Sequence, residues 1–132
     1  MDHDLAEHIK PILAHSSEIE LAILYGSAVS DTLLPDSDLD IGVAGPSALS
    51  AESKSRLIEA LALETSRPVD LVDLQTTYGT LLHQILTKGK IIYCSNHTLY
   101  AELIKRMLFN QADMMPYYYR ILEERRKKWI ND

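Results

Sequence analysis

The segment at residues 19–25, Ile-Glu-Leu-Ala-Ile-Leu-Tyr, constrains the fold more than any other stretch of this chain. After Glu20 it offers no polar side to water, so a strand here must be covered on both faces. It ends at Gly26-Ser27, a pair that breaks an extended run. Three more strand-sized runs follow, at residues 39–44, 69–74 and 90–94. Between them the apolar side chains recur at helical spacing. Leu5, Ile9, Ile12 and Leu13 predict a helix over residues 5–13, which starts late or bends at Pro11. A short helix over residues 28–34 would be closed by Pro35. Gly45-Pro46-Ser47 reads as a turn, Leu57, Ile58 and Leu61 mark a helix over residues 50–64, and Leu81, Leu82, Ile85 and Leu86 mark another over 78–87 that Gly89 stops. A long helical pattern runs from residue 97 to 129, interrupted at Pro116. Strands alternating with helices place the chain in the α/β or α+β class on a small sheet.

The 132 residues amount to one domain, spanning 1–132, and no repeat or linker divides them. With 46% hydrophobic and 24% charged residues the chain has enough apolar material for a packed core. No apolar run nears the roughly 18 residues that span a bilayer, so no membrane association is expected. The acidic start Met1-Asp2-His3-Asp4 is unlike a secretory signal, and a single Cys94 forms no internal disulfide. Both features predict a cytoplasmic protein.

Charge is unevenly placed. Residues 1–53 hold ten acids against Lys10 alone, and the remaining 79 hold nine acids and twelve bases, so the two parts carry −9 and +3. An acidic chain is poorly suited to phosphate backbones, and direct nucleic-acid binding is not expected. Most of the early acids read as solvated surface. Asp36, Asp38 and Asp40 do not fit that reading well, because like charges packed this closely repel unless a cation or solvent separates them. Asp36 falls in the Pro35 turn and reads as a surface or capping residue.

Gly26-Ser27 and Asp38-Leu39-Asp40 together form the pattern G-S-x(10)-D-x-D. At average composition four such fixed positions match somewhere in a chain of this length about 0.2% of the time. The context agrees with the rarity. Gly26 ends a buried strand and allows close backbone approach, while Ser27 opens a helix whose free N–H groups can receive a phosphate. Residues i and i+2 of a strand share a face at about 6.5–7 Å, so Asp38 and Asp40 can ligate one hard cation or two divalent ions roughly 3.5–4 Å apart. Val69-Asp70-Leu71-Val72-Asp73-Leu74 offers a third carboxylate. Asp70 and Asp73 face opposite sides of their strand, and pattern alone does not choose.

The motif G-S-x(10)-D-x-D, followed by Arg67-Pro68-Val69-Asp70-Leu71-Val72-Asp73-Leu74, resembles the minimal nucleotidyltransferases of the DNA polymerase β-like superfamily. More narrowly, the chain is similar to MntA-type antitoxins that accompany HEPN-domain toxins of the HepT type. The resemblance runs from Leu5 to the closing Tyr-Tyr-Tyr-Arg-Ile-Leu-Glu-Glu-Arg-Arg segment and implies a polymerase β-like fold: a small mixed sheet flanked by helices, with a long C-terminal helical segment. It makes Asp70 the third metal carboxylate beside Asp38 and Asp40, and leaves Asp73 a structural acid. It gives Gly26 and Ser27 the β- and γ-phosphates. It also implies Mg²⁺ as cofactor, ATP as substrate, and AMP transfer to a tyrosine of a cognate HEPN toxin in a hetero-oligomer. Two alternatives are an antitoxin that masks its toxin by contact alone, and transfer to a small molecule.

Other residues carry weaker signals. The histidines at 3, 8, 15, 83 and 97 show no ligand spacing and read as surface or cap residues, with His83 on the polar side of its helix. Cys94 reads as a buried strand residue. Tyr117, Tyr118 and Tyr119 read as packing residues with wet hydroxyls. Arg120, Arg125, Arg126, Lys127 and Lys128 beside Trp129 read as a solvated helix end. Arg67 and Lys88 are candidate phosphate contacts with no spacing argument behind them.

Overall fold

A computed structural model describes residues 3–29, 34, 37–110, 120, 121, 123, 124, 126 and 127. In chain order the elements are α1 (His3–His15), β1 (Leu21–Tyr25), a 3₁₀ turn (Gly26–Ala28), β2 (Leu39–Ala44), α2 (Ala51–Thr65), β3 (Val69–Asp73), α3 (Gly79–Lys88), β4 (Lys90–Cys94) and α4 (His97–Asn110). The strands form one sheet in the order β3-β2-β1-β4. β1 runs antiparallel to β2 and β4, and β2 runs parallel to β3 through the α2 crossover, so the sheet is mixed.

The central strand is buried as its sequence demands. Leu21, Ala22, Ile23 and Leu24 are each 1% exposed or less. Ala22 and Leu24 pack with Leu39, Ile41, Val43 and Leu71 under α1 and α2, which contribute Leu5, Ile9, Leu13, Leu57 and Leu61. Leu21 and Ile23 pack on the other face, with Leu74, under Leu82, Ile85 and Leu86 of α3 and Leu99, Leu103 and Met107 of α4. A helix pair on each face is what a two-sided apolar strand requires.

Several local expectations are corrected. α1 does not start late: it begins at His3 with Pro11 inside it. Glu7 and Pro11 both lie on the exposed side, where the helical bond that proline removes falls to water. Gly89 closes α3 in an extended conformation, φ −73° and ψ 165°, rather than a left-handed one. Its requirement is space, because a Cβ there would meet Ile23 and the Leu24 carbonyl. Of the helix expected over residues 28–34, the described residues put Ala28 in the 3₁₀ turn and leave Val29 and Leu34 outside any helix, while residues 30–33 lie outside the described set. Pro116, Tyr117–Tyr119, Arg125, Lys128 and Trp129 also lie outside it. Among the described residues no helix is long and apolar enough to cross a membrane.

Candidate active site

Three neighbouring strands bring three polar side chains to one end of the sheet. Tyr25, the last residue of β1, is the register partner of Asp40 in β2. Asp40 is in turn the register partner of Asp70 in β3. Partners on adjacent strands lie about 4.8 Å apart and share a face, so Tyr25, Asp40 and Asp70 form a row across the sheet. They alternate with Leu39, Ile41, Val69 and Leu71, which pack beneath α1 and α2, so the row lies on the α3 and α4 face. Asp40 is half-buried and Asp70 exposed. Asp38 stands just before β2 and is also exposed.

Electrostatics tie the acids together. Burial, then the charges of Asp70 and Asp38, hold the Asp40 carboxyl above the usual carboxylate range. The same surroundings push the Tyr25 phenol up to about 12, through burial first and then Asp70 and Asp40. Asp40 thus carries a negative charge that its neighbours disfavour, the condition in which a cation binds with the greatest relief.

Gly26 explains itself here. Its φ is +69°, a left-handed conformation, and a Cβ at this position would run into the Asp40 carboxylate. Glycine lets the turn close over that carboxylate. Ser27, half-buried, follows in the same turn, which Val29 N–H closes on the Gly26 carbonyl at 3.2 Å. The helix expected to open at Ser27 is therefore a single 3₁₀ turn, too short for a helix dipole to matter. What remains for an anion is the Ser27 hydroxyl and local backbone N–H groups.

The structure sets Asp70 and Asp73 in different surroundings on β3. Asp73 faces the opposite side, is 3% exposed, and accepts hydrogen bonds from Leu49 N–H at 2.7 Å and Gln75 N–H at 2.9 Å. It is occupied in holding the loop before α2. Asp70 is the acid that β-pairing sets beside Asp40.

An open cavity of about 570 Å³ adjoins the row, lined by Tyr25, Gly26, Val29, Gln84 and Lys88. Gln84 and Lys88 lie one turn apart on α3. The sequence marked Lys88 without a reason and did not mark Gln84, and only the packing of α3 on β1 places both beside Gly26. Arg67 differs from expectation: its guanidinium donates to the Leu34 and Ser37 carbonyls at 2.5 and 3.1 Å. His83 is corrected too, being 2% exposed rather than on the surface. The sheet and α4 both cover α3, so its buried stripe widens to take in His83 and Thr87. Burial, then the charge of Lys88, lowers the pKa of His83.

Among the described residues no three His, Cys, Asp or Glu side chains are gathered into a complete metal cage. A hard divalent ion of the Mg²⁺ type does not need one, since it binds through one or two carboxylates together with substrate phosphates and water. The Asp40–Asp70 pair, with Asp38 within reach of its field, fits that donor set.

Comparison with known proteins is consistent with this geometry. The model of the family described as polymerase beta, nucleotidyltransferase matches residues 7–98. The protein adenylyltransferase MntA of Shewanella oneidensis is 32% identical over 85 residues, 64% of this chain and 61% of that protein. The match thus spans less than two thirds of that relative's length. Among solved structures, a chain in the crystal structure of a toxin–antitoxin with AMP-PNP superimposes with a TM-score of 0.69 at 26% identity, covering 89% of this chain and 98% of that one. A chain from the tri-AMPylated Shewanella oneidensis HEPN toxin in complex with MNT antitoxin gives 0.66 at 25% identity, covering 92% and 99%.

Proposed function

Since the chain belongs to the polymerase beta nucleotidyltransferase family, we propose that it is a protein adenylyltransferase serving as a cytoplasmic antitoxin, a single domain that transfers AMP from ATP to a tyrosine of a cognate HEPN-family toxin and assembles with that toxin as a hetero-oligomer. The observation that carries this reading is the Asp40–Asp70 register pair beside the left-handed Gly26. The relative bearing the protein adenylyltransferase name and the AMPylated-toxin complex support a HEPN toxin as the acceptor protein.

In this reading Asp38, Asp40 and Asp70 hold Mg²⁺. When bound, that ion neutralises the triphosphate and makes the attacking hydroxyl more acidic. Gly26 and Ser27 receive the β- and γ-phosphates through backbone N–H groups and the Ser27 hydroxyl. Lys88 supplies positive charge from the adjoining cavity to the same end of the nucleotide. The tyrosine oxygen of the toxin attacks the α-phosphorus in line. The bond from that phosphorus to the bridging oxygen breaks, and pyrophosphate leaves. Asp70, the exposed member of the strand pair, accepts the hydroxyl proton. A free tyrosine has a pKa near 10, so this carboxylate meets a real need at neutral pH.

The test is to incubate chain and toxin with ATP and Mg²⁺ and weigh the toxin. A gain of one or more AMP masses is expected, and none when both Asp38→Ala and Asp40→Ala are introduced. A toxin bound and silenced at unchanged mass indicates masking by contact instead. Lys88→Ala is expected to raise KM for ATP about tenfold with a smaller change in kcat, the loss expected for about one charge-assisted contact.

A further inference from the structure

We infer that Arg67 and Pro68 form a clamp that holds Asp38 in place, with Arg67 as a positioning residue for metal binding. The inference rests on the reading of Asp38 as a cation ligand. Asp38 precedes β2 and is exposed, so neither sheet pairing nor packing fixes it directly. Its two neighbours in the chain, however, are both tied to one dipeptide. On one side, a single nitrogen of the Arg67 guanidinium donates to the Ser37 carbonyl at 3.1 Å and to the Leu34 carbonyl at 2.5 Å. On the other, Leu39 N–H donates to the Pro68 carbonyl at 2.8 Å. The anchored loop is also closed on itself, with Ser37 N–H donating to the Leu34 carbonyl at 3.0 Å and Leu34 N–H to the Ser37 hydroxyl oxygen at 2.9 Å.

The clamp is built into the chain path. Ser66 ends α2 in the left-handed region, φ 55°, with its N–H on the Ala62 carbonyl. That reversal delivers Arg67 to the loop and Pro68 to the entrance of β3. Two residues later comes Asp70. One short segment therefore supplies a carboxylate of its own and fixes the backbone on either side of another. Coupling of this kind matters because a hard cation tolerates little scatter among its carboxylates.

The experiment measures Mn²⁺ affinity of the full-length chain by electron paramagnetic resonance, together with melting temperature, for the wild type, Arg67→Ala and Arg67→Lys. Arg67→Ala is expected to bind Mn²⁺ about tenfold more weakly. Half-maximal adenylylation is expected at a correspondingly higher metal concentration, with kcat at saturating metal nearly restored. Arg67→Lys keeps one donor nitrogen and is expected to recover at least half of the lost affinity on a logarithmic scale; should the alanine variant fail to fold, the lysine variant alone must bind Mn²⁺ more weakly than the wild type, by no more than about threefold. Unchanged Mn²⁺ affinity with a lowered melting temperature overturns the clamp and leaves Arg67 a loop staple. A wild-type chain that takes up no Mn²⁺, either alone or with a non-hydrolysable ATP analogue present, overturns the underlying reading of the carboxylates instead.

Discussion

Gly26 bears two constraints at once: a left-handed backbone and an Asp40 carboxylate where a side chain would go. Gly26→Ala is expected to cost about 1–3 kcal/mol of stability and to reduce turnover by at least about a hundredfold, measured by thermal melting and initial rates. Asp40 itself works against the fold. Its carboxyl is held above the unfolded value by burial and by Asp70 and Asp38, so folding favours the protonated form. The stabilising contribution is fully present below the ordinary carboxylate pKa, near 3.9, and is lost as the pH rises through the elevated folded value. Asp40→Asn is therefore expected to be inactive yet to melt about 2 °C higher at pH 7, an advantage that vanishes at about pH 3. A lower melting temperature at pH 7 would contradict the electrostatic account. In the proposed site, cation binding and stability make opposed demands on this residue.

At the scale of elements, α2 does more than cover the sheet. Ser50 caps its first turn, accepting from Ser53 N–H at 3.1 Å, and Asp73 fixes the loop just before it through Leu49 N–H. Ser66 then turns the chain into the Arg67-Pro68 segment. Ser50→Ala is expected to destabilise by about 1 kcal/mol with kcat/KM unchanged, since the cap lies at the opposite end of the sheet from Asp40. Chemical denaturation and steady-state rates check both halves of that statement. The strand β2 was legible from residue 39 to 44 because its pattern is unbroken. The 3₁₀ turn after β1 was not, because Gly26 and Ser27 suit a turn and a helix start equally.

For the molecule as a whole, two apolar layers share one sheet, and β1 belongs to both. Leu61 of α2 in one helix pair and Ile85 of α3 in the other are both fully buried. Leu61→Ala and Ile85→Ala are each expected to cost about 2–5 kcal/mol and to move one common unfolding transition, followed by far-ultraviolet circular dichroism and tyrosine absorbance together. Separate transitions for the two variants would mean that the layers fold independently. The alternation of strands and helices, the burial of residues 21–24 and the glycine, serine and aspartate motif are all legible in the primary structure, because periodicity and local backbone preference are written residue by residue. Register decided the rest. Which of Asp70 and Asp73 joins Asp40, why Arg67 turns to the loop before Asp38, how Lys88 comes to lie beside Gly26, and that His83 is buried all depend on contacts between segments far apart in the chain. No local pattern encodes such contacts; they exist only once the strands have paired and the helices have closed over them.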